Sequence, residues 1–283
     1  MLKGYLFVIS SAILFGCMPL GAKIIYANGV NAVSLVFYRN ILAVPVLLLI
    51  LKAKKEDIKI SVRELAKLVI LAVLGNVLTP MLLYSSYNYI SSGTSTALHF
   101  VYPAVVILLE MLFFKEKISR RAFLCVWLCL VGISMFYTPD GAINLVGVIL
   151  AIASGATYAV YIVFLSHFDL GNISGMKYSF YMSCICSLIM LTVSVPAGKF
   201  TVPSNFMCWC VCVAFSIVLS VGAVVLFRQG TLMVGGQRSA ILSTFEPVTS
   251  LLVGIVVFKE CLSAGSAAGS ILILFAAVLI AGK

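Results

Sequence analysis

Ten apolar runs separated by short polar gaps account for most of this chain. They lie at residues 5–26, 32–51, 65–88, 93–114, 120–138, 145–166, 175–195, 206–228, 238–258 and 263–282. A helix that crosses a bilayer needs about 20 apolar residues, and ten such helices use about 200. The remainder of a 283-residue chain is taken up by loops, with no room for a separate soluble domain. Composition agrees: 63% of residues are hydrophobic and 10% charged, against roughly 45–50% and about 25% in soluble domains. A secreted disulfide scaffold, a disordered chain and a cytosolic enzyme are excluded. The fold class expected is an all-α membrane protein. The first run is too long for a signal-peptide core and no small-residue cleavage site follows it, so it is read as a retained helix.

A net charge of +10 suggests nucleic acid until its placement is considered. The basic residues sit mainly in the gaps between apolar runs, as in cytoplasmic loops, so no nucleic-acid partner is expected. Of nine cysteines, all but Cys261 lie inside apolar runs. The stretch Cys208-Trp209-Cys210-Val211-Cys212 has no histidine or carboxylate beside it, and on a helix Cys210 points away from the other two. These are read as packing residues, with neither metal nor cofactor expected.

Counting Lys and Arg on alternate sides fixes an orientation. With the N-terminus inside, fifteen basic residues, from Lys3 through Lys52, Lys177, Arg228 and Arg238 to Lys283, fall on the cytoplasmic side. Lys199 and Lys259 fall outside, while Lys23 and Arg39 lie within spans. Both termini are expected in the cytoplasm. The chain also repeats itself. PAVVILLEMLFFKE at 103–116 returns as PVTSLLVGIVVFKE at 247–260, an offset of 144 that pairs Pro103 with Pro247 and Ser119 with Ser263. One residue less pairs Gly4 with Gly147, Ser11 with Ser154 and Phe15 with Tyr158. Two five-helix repeats follow, 1–140 and 141–283. An odd number of spans turns the second upside down. Inverted repeats are the geometry of alternating access.

The segment from Leu82 to Gly132, LLYSSYNYISSGTSTALHFVYPAVVILLEMLFFKEKIS and a glycine-containing span, resembles the EamA-type transporters of the drug/metabolite transporter superfamily. The pattern recurs less closely from Leu226 to Ala276, and Phe37-Tyr38-Arg39-Asn40 resembles the family's second-span arginine. The resemblance implies a ten-helix exporter-like fold in the inner or plasma membrane, with a central cavity between the halves. It implies no single substrate, since the family handles amino acids, other metabolites and drugs. The second repeat has no arginine matching Arg39 (Tyr181 or Met182 stands near there) and has Gly254 where the first has Glu110.

Charged groups near the bilayer centre cost at least ~2.5–3.5 kcal/mol, so each is a candidate for function. Glu246 lies about 12 Å into its span at ~1.5 Å per residue, just before Pro247, whose missing donor loosens the preceding turn. It suits proton coupling or amine binding, or else is a neutral acid bonded to a neighbouring helix. Tyr102, before Pro103, holds the equivalent place in the first repeat, and Pro103 and Pro247 are candidate helix hinges. Arg39, about 12 Å from the outer end of its span, could hold a carboxylate as a fork or lock the bundle. Glu110, near Lys115 and Lys117, reads as a snorkelling ion pair. His99 shares a face with Tyr102. Asn76, Tyr84, Tyr87 and Asn88 make the third run polar, and Tyr158, Tyr161, Tyr178 and Tyr181 do so for the sixth and seventh. Some of these tyrosines belong instead to interfacial belts. The substrate-binding candidates are therefore Glu246, Tyr102, Arg39, His99, Asn76, Tyr84, Tyr158 and Tyr181.

An intramembrane enzyme is the rival class. Gly93-Thr94-Ser95-Thr96 with His99 faintly resembles a rhomboid-type serine motif, but serine and histidine would share one helix, and neither HExxH nor GxSxG occurs. A channel would need a continuous polar path, and the charges are too sparse for a ring-lined pore. The expectation is a secondary carrier, not an enzyme, that exports amino-acid-like or other small polar metabolites, with cationic-drug efflux as the alternative. Its partners are a small-molecule substrate, the lipid bilayer and a coupling proton. Gly265 and Gly269 form a GxxxG pattern that serves intramolecular packing as well as a homodimer.

Overall fold

Span starts follow from short polar side chains placed just after the gaps. Asn31 Oδ1 accepts from the Ser34 N–H at 2.9 Å, Ser174 Oγ from Lys177 at 3.1 Å, and Asn205 Oδ1 from Cys208 at 2.8 Å. Ser61 and Glu64 form a reciprocal capping box. In the computed structural model, residues 2–90, 92–115, 119–135, 144–170 and 173–258 are described, with isolated positions between 265 and 279. The last expected span, the Lys259 to Ser263 part of the repeat motif, Lys117 and the boundary at 140/141 lie outside these residues.

Among the described residues every regular element is helical. Six helices are long and apolar enough to cross a membrane: α1 (Leu2–Ala27), α2 (Ala32–Ala53), α3 (Val62–Ser86), α7 (Leu145–His167), α8 (Gly175–Ser194) and α9 (Phe206–Val234). The shorter helices among the described residues are α4 (Ser92–His99), α5 (Tyr102–Phe114), α6 (Arg120–Ser134), α10 (Gly236–Leu242) and α11 (Phe245–Phe258). The fourth and ninth runs, expected as continuous spans, are each two helices, parted at Phe100–Val101 and at Ser243–Thr244. Pro103 and Pro247 explain both breaks. Each stands in the first turn of the second piece, where a missing donor costs nothing, and at the second break the Ser243 carbonyl accepts from the Glu246 N–H at 2.9 Å instead.

Two π-turns were invisible in the sequence, Ala72–Leu78 in α3 and Ile217–Ala223 in α9. They stand at equivalent places in the two halves. In α3 the cause is Pro80, which cannot donate to the Asn76 carbonyl; the Cys186 thiol does so at 3.2 Å, and Thr79 Oγ1 donates to the Leu74 carbonyl at 2.7 Å. In α9 no proline is involved. There Ser216 and Ser220 turn their hydroxyls onto the Arg39 carbonyl at 2.6 and 3.0 Å.

Helices pack mainly across the halves. α1 lies against α9 and α11, and α7 lies against α3, α4 and α5, while α2 lies against α8. Exchanging the halves maps these pairings onto one another. Close crossings use glycine: a Cβ on Gly16 would stand 2.7 Å from the Glu246 carbonyl, and one on Gly155 would strike the His99 carbonyl. The helices around each break are therefore pressed against it.

The partition of polarity is that of a lipid-embedded bundle. Phe113, Phe206 and Val256 are exposed, whereas Arg39, Asn40, Asn76, His99, Glu110, Arg228 and Glu246 are buried. At one end the 28–31 turn meets residues 199–205, with Asn31 Nδ2 donating to the Lys199 carbonyl at 2.7 Å and Asn205 Nδ2 to Asn28 Oδ1 at 2.7 Å. At the other, Lys177 donates to the Lys59 carbonyl at 2.6 Å, and Lys67 to the Asp169 carbonyl.

Candidate functional site

The helix breaks and π-turns converge at the middle of the bundle. There Phe15 and Met18 of α1, Arg39 of α2, Gly75, Asn76, Thr79, Pro80 and Leu83 of α3 and His99 of α4 face Tyr158, Tyr161, Val224, Phe227 and Glu246 from the second half. They enclose a cavity of about 50 Å³. That holds a few water-sized molecules, each of which needs roughly 10–15 Å³.

Its two charged walls come from opposite halves. The Arg39 guanidinium lies over the Phe15 ring at 5.6 Å, beside the Tyr84 hydroxyl. Nε of Arg39 has no hydrogen-bond partner among the described residues. Glu246, 8% exposed, stands within electrostatic reach of Arg39 but makes no direct ion pair with it.

The remaining wall is aromatic. Tyr158 stacks on Tyr161 at 5.6 Å and on Phe227 at 5.9 Å, and packs against His99 at 5.5 Å. His99 Nδ1 and Ser154 Oγ are 2.8 Å apart, fixing the ring. Asn76 Nδ2 donates to Asn40 Oδ1 at 3.0 Å, and Thr79 and Thr157 hydroxyls meet at 2.9 Å. Gly75 is the residue that lets Tyr161 in: a Cβ there would sit 2.5 Å from its ring. Among the described residues no cluster could hold a metal ion.

The EamA-like transporter family model matches residues 2–138 and again 145–282, one copy for each half. The chain belongs to this family. It is accordingly a multi-pass membrane protein of a transporter family. EamA relatives include an uncharacterized transporter of Haemophilus influenzae, 28% identical over 56% of this chain and 54% of that protein. Another is the uncharacterized transporter YcbK of Bacillus subtilis, 23% identical over 91% of this chain and 86% of that one. The match spans about half the length of the Haemophilus relative and 62% of one from Synechocystis. A solved crystal structure shares the fold at a TM-score of 0.78 and 15% identity, covering 98% of this chain and 95% of its own.

Of the candidates chosen from sequence, this EamA chain brings Glu246, Arg39, His99, Asn76 and Tyr158 to one cavity. Tyr102 stands behind it, edge to face on Tyr158 at 4.9 Å, and Tyr84 donates to Met18 Sδ at 2.9 Å. Tyr181 does not reach the cavity; its hydroxyl donates to the Ile58 carbonyl. Glu110, expected as a snorkelling ion pair near Lys115 and Lys117, meets a histidine among the described residues. It is 1% exposed and sits 3.3 Å from His167 Nε2, with Ser166 donating to it at 3.3 Å. Arg228, counted among the residues of the cytoplasmic side, is 4% exposed. Phe15, Gly75, Thr79 and Phe227 were missed. An apolar ring or a small residue in a span carries no mark that separates a cavity wall from packing. Phe15 alone had one, its pairing with Tyr158 across the repeat.

Proposed function

We propose that the protein is a secondary carrier that exports amino-acid-like or other small polar metabolites by alternating access. The observation that carries this reading is that Arg39 and Glu246, from opposite halves, line one cavity. A carboxylate suits the guanidinium fork, and an amine suits the acid beneath an aromatic wall. In this reading the chain has ten spans in two inverted five-helix repeats, 1–140 and 141–283, with both termini in the cytoplasm. The exchange symmetry of the helix packing supports the inversion, and the excess of lysines at the end of Lys52, Lys59 and Lys177 supports the orientation. Pro103 and Pro247 are the hinges about which the halves rock. Glu246 is the group that carries a coupled proton. The protein is a carrier, not an enzyme.

The test is counterflow in proteoliposomes with labelled zwitterionic amino acids, run beside lipophilic cations. Saturable exchange of an amino acid is expected. A second reading, efflux of cationic drugs, draws on Glu246 among Tyr158, Tyr161, Phe227 and Phe15. It takes over if only the cations exchange. Conductance far above carrier rates contradicts both.

A further inference from the structure

The two π-turns, one in each half, close on the same two residues of α2. From the first half, Asn76 Nδ2 in the α3 π-turn donates to Asn40 Oδ1 at 3.0 Å. From the second, the Ser216 and Ser220 hydroxyls of α9 donate to the Arg39 carbonyl at 2.6 and 3.0 Å. At the offset of 144 that pairs Pro103 with Pro247, Asn76 corresponds to Ser220. The carbonyls of this pair are held as well, and by one helix. The Cys186 thiol of α8 donates to the Asn76 carbonyl at 3.2 Å, and the Ser179 hydroxyl of α8 donates to the Ser220 carbonyl. Ser179 and Cys186 stand about two turns apart and so share a face of α8. A further hydroxyl, that of Ser11 in α1, donates to the Ala223 carbonyl at the end of the second π-turn, at 2.8 Å.

The reason for this hold lies in α2 itself. Its regular helix stops at Ile41 and resumes at Ala43, because Pro45 cannot donate to the Ile41 carbonyl. Arg39 therefore stands in the last turn before an interruption, where the helix alone fixes its backbone least. Ser216, Ser220, Ser179, Asn40 and Asn76 are all buried, so each contact also satisfies a polar group that water does not reach. Beyond the hold, the Arg39 side chain lines the cavity, its guanidinium over the Phe15 ring and its Nε without a hydrogen-bond partner among the described residues. The backbone of this segment is tied to both halves, while the charged end of Arg39 is left to the cavity.

We propose that Ser216 and Ser220 are positioning residues, which fix the Arg39 backbone so that its guanidinium stays on the cavity wall, and thereby set the affinity for the carboxylate of the substrate. The carboxylate rests on the carrier reading above; the hold on Arg39 does not.

Two experiments test it. In purified protein, modification of Arg39 by p-hydroxyphenylglyoxal, an arginine reagent, is read by peptide mass spectrometry, with the exposed Arg120 as internal reference. Arg39 is expected to react severalfold faster in Ser216→Ala and in Ser220→Ala than in the native chain, and faster again in the double variant. Equal reactivity in the native chain and the double variant, or no reaction in either, overturns the hold. In the second experiment, binding of the amino acid that the native protein exchanges in counterflow is compared with binding of its decarboxylated amine. The double variant is expected to weaken the amino acid about fivefold or more, the scale of a lost hydrogen bond, and to leave the amine unchanged. In a chain that carries Arg39→Gln, the same two substitutions should change neither. Equal loss of both ligands, or a loss that persists undiminished beside Arg39→Gln, would mark the two serines as structural. If the native protein exchanges no amino acid, the carrier reading fails while the reactivity of Arg39 still decides the hold.

Discussion

His99 and Ser154 join the two halves of the molecule through one buried contact, Nδ1 to Oγ at 2.8 Å, at the point where α4 stops. Both residues are buried, and Ser154 Oγ also donates to the Ala151 carbonyl at 2.6 Å, leaving the His99 ring nitrogen as the donor to it. Ser154→Ala removes the acceptor and strands a buried donor, at a cost of about 1–3 kcal/mol. A lowered midpoint of thermal unfolding in detergent is the expected result. An unchanged midpoint means the contact is dispensable.

Gly75 has no room to grow. A Cβ at that site would stand 2.5 Å from the Tyr161 ring, so Gly75→Ala is expected to push the ring into the chamber. Overpacking of this kind costs typically about 1–3 kcal/mol. Exchange should slow, and Tyr161→Leu in the same chain should restore part of the lost stability. If the alanine variant exchanges at the native rate, Tyr161 is not a fixed wall.

Pro80 maintains the π-turn of α3 by leaving the Asn76 carbonyl without its helical donor. Pro80→Ala returns that donor, and proline in a helix interior is about 3 kcal/mol worse than alanine. The variant is expected to melt higher and exchange more slowly, because a regular helix gives up the local adjustment that the π-turn permits. Faster exchange would contradict this view.

Glu110 and His167 close the other end of the bundle. The carboxylate reaches across from α5 to the last turn of α7, where the His167 ring stacks on Phe114 with centroids 3.5 Å apart. The second repeat has Gly254 at the equivalent of Glu110. Glu110→Ala leaves the partly exposed His167 without its acid and Ser166 without one acceptor, and a lowered midpoint of thermal unfolding is expected. The more conservative Glu110→Gln is expected to keep the fold and favour opening at that end, read as faster cysteine labelling of a reporter placed at position 163 behind the pair. Unaltered labelling would show that the pair does not restrain opening.

The membrane class, the doubling of the pattern and most of the cavity's polar residues were legible in the sequence for one reason. A charge or a proline inside an apolar run is expensive, so it is conspicuous. Glu246, Arg39 and Pro103 stand out on that ground. Tyrosine does not, because the same residue serves a cavity, an interface or a carbonyl cap. Tyr158 reached the chamber, Tyr102 packed behind it and Tyr181 capped the Ile58 carbonyl. A loosened turn was anticipated before Pro247, and Pro103 was named as a hinge, while both runs were expected as single spans. The π-turn in α9 was not, since nothing in Ile217–Ala223 forbids a regular helix. The burial of Arg228 was not legible because it ends its apolar run in sequence, whereas α9 continues to Val234.

The central claim is that Arg39 and Glu246 hold opposite ends of one zwitterionic substrate. Its most direct test is binding to purified protein of the transported amino acid and of two truncated analogues, its decarboxylated amine and its deaminated acid. Arg39→Gln should weaken the amino acid and the acid while leaving the amine unchanged. Glu246→Gln should weaken the amino acid and the amine while sparing the acid. If either variant weakens all three ligands alike, or none of them, the two residues serve the bundle and not the substrate.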